Sequence, residues 1–118
     1  MRLIVAGSRE ITDYAAVKKA IEEAIERTGQ KPVEIACGMA RGVDECGYRW
    51  AKENGVKIKE FHADWDGEGK SAGYKRNARM AQWAQALVIV WTGTSRGSAH
   101  MLNLAKIQGI RIFETRIP

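Results

Sequence analysis

Leu3-Ile4-Val5-Ala6 runs without a polar side chain and breaks at Gly7-Ser8-Arg9. A strand with one face in water alternates apolar and polar residues, so an unbroken apolar run ending in glycine reads as a strand covered on both faces. Such strands belong to parallel sheets whose connections are helices. The rest of the chain keeps that rhythm. Asp13 stands as an N-cap, Val17, Ala20, Ile21, Ala24 and Ile25 recur at helical spacing, and Gly29 stops the helix. Pro32 precedes a second strand from Val33 to Ala36, and a second helix from Val43 to Glu53 turns Cys46, Trp50 and Ala51 inward before Asn54-Gly55. Val56 to Phe61 alternates, as an edge strand does.

Farther along, His62 to Ser71 is expected to be a polar loop and Ala72 to Gln85 a helix. Leu87 to Trp91 is the most clearly marked strand. Thr92 to Ser98 is a second loop, Ala99 to Gln108 a helix ending at Gly109, and Ile110 to Phe113 the last strand. Crossovers this short are right-handed. The expectation is one α/β domain over residues 1–118, a three-layer α/β/α arrangement with a parallel sheet of about five strands.

Composition agrees with that reading. A chain of 118 residues has room for one core. An apolar fraction of 45% with 28% charged residues excludes a disordered tail. No apolar run approaches the roughly 20 residues that cross a bilayer. The opening run is too short for a secretory leader, so a cytosolic chain with no membrane partner is expected. Cys37 and Cys46 lack CxxC spacing and read as buried thiols in a reducing compartment, not as a disulfide or metal site. No metal and no required cofactor is expected. The formal charge of +5 favours an anionic partner.

Where the positive groups fall is more informative. In a parallel sheet all strand-to-helix loops emerge at one edge, where ligands bind. Here those loops are Gly7-Ser8-Arg9, Gly38-Met39-Ala40-Arg41-Gly42 and Thr92-Gly93-Thr94-Ser95-Arg96-Gly97-Ser98. Each joins glycine, which lets backbone approach a ligand, to an arginine fork suited to phosphate or carboxylate. Each leads towards a helix N-terminus with free N–H donors. A single glycine is accounted for by a tight turn, Ser98 by a helix cap, and Arg9 or Arg41 by a surface charge. Together the loops point to an anion site, although neither GxGxxG nor GxxxxGK[ST] is present.

Other residues carry two readings. Lys70, Lys75, Arg76 and Arg79 form a basic run that is either a solvated face or a phosphate contact, with Arg76 the favoured contact. Trp65 is a base-stacking platform, a core plug or a dimer contact, whereas Trp50, Trp83 and Trp91 lie in regular elements and read as core. Asp64-Trp65-Asp66-Gly67 has the start of a calcium loop without its remaining ligands.

Gly7-Ser8-Arg9 followed by Gly38-Met39-Ala40-Arg41-Gly42-Val43-Asp44 resembles the Rossmann-like core of the DNA-processing DprA proteins. Arg76-Asn77-x-x-Met80, then a strand and Gly93-x-x-x-Gly97-Ser98, is similar to the cytokinin-activating LOG proteins, whose pattern is R-K-x-x-M followed by P-G-G-x-G-T-x-x-E. Both belong to the SLOG superfamily. Its small stand-alone YspA-like branch, related to YpsA and found in bacteria and phages, resembles this chain over nearly its whole length. That branch shares Ala63-Asp64-Trp65 and the Gly73, Arg76, Asn77, Met80 pattern.

The resemblance implies a Rossmann-like fold, a nucleotide-derived ligand and pairing into a homodimer or larger assembly. It implies that Arg76 and Asn77 face the ligand, and that Arg76 matches an arginine used by LOG enzymes to cleave a base from a ribose phosphate. The partner glutamate of those enzymes falls near His100 or Met101, where there is no carboxylate. His100 remains a candidate base or a capping residue, and Asp44 a candidate carboxylate or a helix-dipole acid.

The leading expectation is therefore a binding protein or sensor for a nucleotide-like small molecule. Its site comprises Gly7, Ser8, Arg9, Gly38, Ala40, Arg41, Gly42, Asp44, Arg76, Asn77, Gly93, Thr94, Ser95, Arg96, Gly97 and Ser98. An N-glycosidic hydrolase acting on a nucleoside 5'-phosphate or NAD, using Arg76 with Asp44 or His100, is the first alternative. Single-stranded DNA binding is the second, the less favoured because the charge is modest.

Overall fold

The computed structural model describes residues 1–118. Five strands, β1 (Arg2–Gly7), β2 (Glu34–Cys37), β3 (Lys57–Glu60), β4 (Ala86–Trp91) and β5 (Arg111–Arg116), form one parallel sheet in the order β3-β2-β1-β4-β5. The helices are α1 (Tyr14–Thr28), α2 (Val43–Glu53), α3 (Trp65–Glu68), α4 (Ala72–Trp83) and α5 (Arg96–Gln108). No helix is long and apolar enough to cross a membrane.

Successive residues of a strand point to opposite faces, and the core divides accordingly. Leu3, Val5, Val88 and Val90 pack with Val17 and Ile21 of α1 and Val43 and Trp50 of α2. Ile4, Ala6, Leu87 and Ile89 pack with Met80 and Ala81 of α4 and Met101 and Ala105 of α5. This two-sided burial is why the central runs contain no polar residue. The expected three-layer, Rossmann-like α/β arrangement is present, with β3 at an edge.

Strand order reverses between β1 and β4, which places a crevice at their C-terminal ends. Gly7 closes β1 opposite Val90, and a Cβ there would lie 1.8 Å from the Val90 carbonyl oxygen. Only glycine fits between the two strands. Ser8 then ties the crevice together: its N–H donates to Val90 O (3.1 Å), its Oγ accepts from Thr92 N (3.2 Å), and its carbonyl accepts from Ile11 N and Val43 N.

Some boundaries differ from the sequence reading. The His62–Ser71 loop contains α3 and a 3₁₀ turn at Gly69–Ser71, because Asp64 Oδ1 caps the turn by accepting from Gly67 N (2.9 Å). Helix α5 starts at Arg96 and not Ala99, because Ser95 is its cap, accepting from Ser98 N (3.3 Å). Helix α4 stops at Trp83 and not Gln85. Gln85 instead extends the β4 pairing, donating to Arg2 O (2.9 Å) and accepting from Arg111 N (3.2 Å). Strand β5 runs to Arg116, paired with Trp91. The expected cap and stop of α1, Asp13 and Gly29, are where the sequence places them.

Candidate functional site

A hollow of about 160 Å³ opens at the crevice, with Gly7 and Arg9 on one side, Ala40 and Asp44 on the second, and Ser95, Gly97 and Ser98 on the third. Arg76 and Asn77 of α4 enter from above it, and Ala6, Met80 and Met101 make an apolar floor. A second hollow beside it is lined by Gly38, Met39, Arg41, His62 and Trp65, and shares Arg9, Ala40 and Arg76 with the first. A third, lined by Trp65, Lys70, Gly73 and Tyr74, also shares Arg9 and Arg76. The three therefore form one cleft hinged on those arginines.

Two charged side chains are buried in it. Arg76 is 8% exposed and donates through Nη1 to Gly38 O and through Nε to Asn77 Oδ1 (3.0 Å). Burial lowers its pKa from the ordinary guanidinium value, with the Asp44 charge opposing. Asp44 is 6% exposed, and its Oδ2 accepts from Ala40 N (3.2 Å). Burial pushes the Asp44 carboxyl up to about 6, against the pull of that N–H and of the Arg76 and Arg9 charges. Asn77 continues the chain of contacts, its Nδ2 reaching Gly97 O (3.4 Å) and approaching His100 Nδ1 (3.5 Å).

Ser98 has a different status. It is 4% exposed, it lines the first hollow, and its Oγ has no hydrogen-bond partner in the protein. A buried hydroxyl without a partner costs free energy on the order of 1–3 kcal/mol. Here it stands in the first turn of α5, where backbone N–H donors and the helix dipole favour an anion.

The cleft does not take in every residue expected of it. Gly7, Arg9, Gly38, Ala40, Arg41, Asp44, Arg76, Asn77, Ser95, Gly97 and Ser98 line it. Ser8 is fully buried with its hydroxyl bound to Thr92 N, so it holds the loops together. Gly42, at φ 77°, is tucked beneath the carbonyls of Ser8 and Arg9, where a Cβ would lie 2.5 Å from each oxygen. Gly93, Thr94 and Arg96 lie outside the lining; Thr94 Oγ1 pairs with Thr92 Oγ1 (3.0 Å). His100 also stays outside, against the Tyr74 ring (centroids 4.4 Å apart).

The basic run of α4 divides in the same way. Lys75 and Arg79 lie 3.6 and 3.9 Å from Glu68, leaving Arg76 in the inner cleft and Lys70 at its outer part. Trp65 is 53% exposed and is not a core plug. Trp50 and Trp91 are buried, Trp83 half-buried, and both cysteines are buried and free. Glu10 and Tyr74 join the lining without having been singled out, since neither lies in a glycine loop or carries a sequence motif.

Comparison with known proteins places the chain. The model of the family described as "YspA, cpYpsA-related SLOG family" matches residues 1–67. Gene 61 protein of Mycobacterium phage D29 is 32% identical over 117 residues, covering 94% of this chain and 93% of the phage protein. Among solved structures, DNA processing protein A (DprA) of Streptococcus pneumoniae is similar with a TM-score of 0.73 at 20% identity. That match covers 96% of this chain but 49% of the other, so the chain spans about half of that protein and the likeness is one of fold.

Proposed function

The chain belongs to the YspA, cpYpsA-related SLOG family, and from that premise we propose that its cleft binds a small nucleotide-derived molecule, as a sensor or binding protein. The observation that carries the reading is the Ser98 hydroxyl. It is buried, unpartnered and set among the N–H groups of a helix start. A phosphate there would accept from Ser98 Oγ and the free amides of α5, with Arg9 and Arg76 balancing its charge. Pairing of two copies, which the family resemblance implies, belongs to the same proposal and is read from the mass of the purified protein in solution.

The test is a thermal-shift panel of AMP, ADP-ribose, NAD and cyclic nucleotides with folded protein. A ligand that binds only the native state raises the melting temperature as its concentration exceeds Kd. A rise of several degrees with at least one compound is expected. Silence across the panel would sink the reading.

A second reading, N-glycosidic hydrolysis, has one observation in its favour. Asp44 is a carboxyl with a pKa near 6 in the same cleft as Arg76, suited to proton transfer near neutrality. Against it, the α5 side chain on the cleft floor is Met101, which cannot activate water or stabilise a ribosyl cation. The expected result is that AMP and NAD are recovered intact by chromatography after incubation; released base would establish the hydrolase instead.

A further inference from the structure

The outer part of the cleft carries exposed aromatic and apolar side chains among its basic ones. Met39, Trp65 and Tyr74 stand there, 39%, 53% and 46% exposed. The other large apolar side chains open to solvent, Val33 and Ile107, lie just before β2 and near the end of α5, away from the strand-to-helix loops. Exposed apolar surface is therefore concentrated at the ligand edge.

Trp65 is also held in place. A single turn such as α3 does not persist unaided. Asp64 caps it, Lys75 and Arg79 grip its Glu68, and Arg79 donates to His62 O (3.0 Å). The indole lies over Gly73, where a Cβ would come within 3.3 Å of the ring. The polar side chains of this segment thus fix an exposed indole beside Arg9 and Arg76. Simple surface packing gives no reason to anchor an aromatic ring so that half of it faces water.

We propose that Trp65 is the stacking platform for the base of a nucleoside phosphate whose phosphate end occupies the start of α5. This rests on the reading of the cleft as a nucleotide site, and adds to it the side chain that recognises the base. Removing such a platform weakens binding by roughly 5- to 150-fold.

The experiment titrates the full chain with AMP and with ribose 5-phosphate by calorimetry, in the wild type, Trp65→Leu and Trp65→Phe. AMP should bind the wild type more tightly than ribose 5-phosphate. Trp65→Leu should weaken AMP about tenfold and leave ribose 5-phosphate unchanged, while Trp65→Phe keeps most of the AMP affinity. Equal binding of the two probes, unaltered by Trp65→Leu, would overturn the platform and leave the phosphate site standing. Binding of neither would overturn the platform for a nucleoside monophosphate, and with silence across the thermal-shift panel would overturn the nucleotide site as well. Tighter retention of an oligothymidylate than of AMP, abolished by Trp65→Leu, would assign the platform to a nucleic-acid strand and overturn the small-ligand proposal.

Discussion

Asp44 and Arg76 flank Gly38 without forming an ion pair with each other. A Cβ on Gly38 would lie 2.8 Å from Asp44 Oδ2 and 3.1 Å from Arg76 Nη1. Each side chain is instead held by backbone, Asp44 by Ala40 N and Arg76 by Gly38 O. Two opposite charges kept apart in a buried cleft leave part of their hydrogen-bonding capacity for a ligand.

Gly38→Ala and Gly7→Ala should therefore behave differently. At Gly38 the added methyl meets the ends of two side chains and not backbone, so the loss of stability should be about 1–2 kcal/mol. AMP affinity should nevertheless fall at least tenfold. At Gly7 the methyl meets the Val90 backbone at 1.8 Å, and the cost should be about 3 kcal/mol or more. Urea unfolding and calorimetry on both variants separate the two effects.

Asp44 gives stability a definite pH dependence. Its folded pKa of about 6 lies above the unfolded value near 3.9, so the folded state holds the proton more tightly. Stability from this group is complete below about pH 4 and is lost as the pH rises through about 6, a change of up to about 3 kcal/mol. His100, whose pKa burial lowers, acts in the opposite direction over part of this range. The readout is accordingly the difference between wild type and Asp44→Asn in urea melts from about pH 4.5 to 7. That difference should move in favour of the wild type as the pH falls; a constant difference would refute the assignment.

The two serines of the α5 start separate capping from binding. Ser95→Ala removes the cap and should cost about 1 kcal/mol of stability. Ser98→Ala removes a hydroxyl that has no partner, so stability should hold within about 0.5 kcal/mol or rise. Its AMP affinity should fall about tenfold, the loss of one charge-assisted hydrogen bond. Equal AMP affinity in wild type and Ser98→Ala would remove the phosphate from this helix start.

Arg9 and Arg96 make a matched pair of exposed arginines. Arg9 lines every part of the cleft, and Arg96 lines none. Arg9→Ala should weaken AMP about tenfold at unchanged melting temperature, whereas Arg96→Ala should stay within about twofold. The reverse ranking would move the anion site to the far side of the Thr92–Ser98 loop.

The layered fold was legible because burial on both faces leaves a direct mark on β1 and β4, whose central residues can only be apolar. Asp13 and Gly29 were legible because caps are local chemistry. The helix within His62–Ser71 was not: its Asp64 cap is local, but a single turn is too short to show periodicity, and its Glu68 is held by Lys75 and Arg79 of the next helix. Sequence alone offered Ser98 as the cap of a helix from Ala99, whereas the cap is Ser95, three residues earlier, and the Ser98 hydroxyl caps nothing. The extended backbone at Ser95, which a sequence does not report, sets the helix start there.

By itself, then, the amino-acid order determined a parallel α/β sheet, the edge where its strand-to-helix loops gather, and the loops that reach that edge. All three follow from periodicity and from glycine and arginine chemistry within a few residues. Which of those loop residues face the cleft was decided only in three dimensions. Ser8 and Gly42 spend their polar groups and their space on holding loops together, Arg96 turns outwards, and Arg76 crosses from α4 to the Gly38 carbonyl. Side-chain direction and partnership depend on elements distant in sequence, and packing them together selects Arg9, Asp44, Arg76 and Ser98 for the cleft.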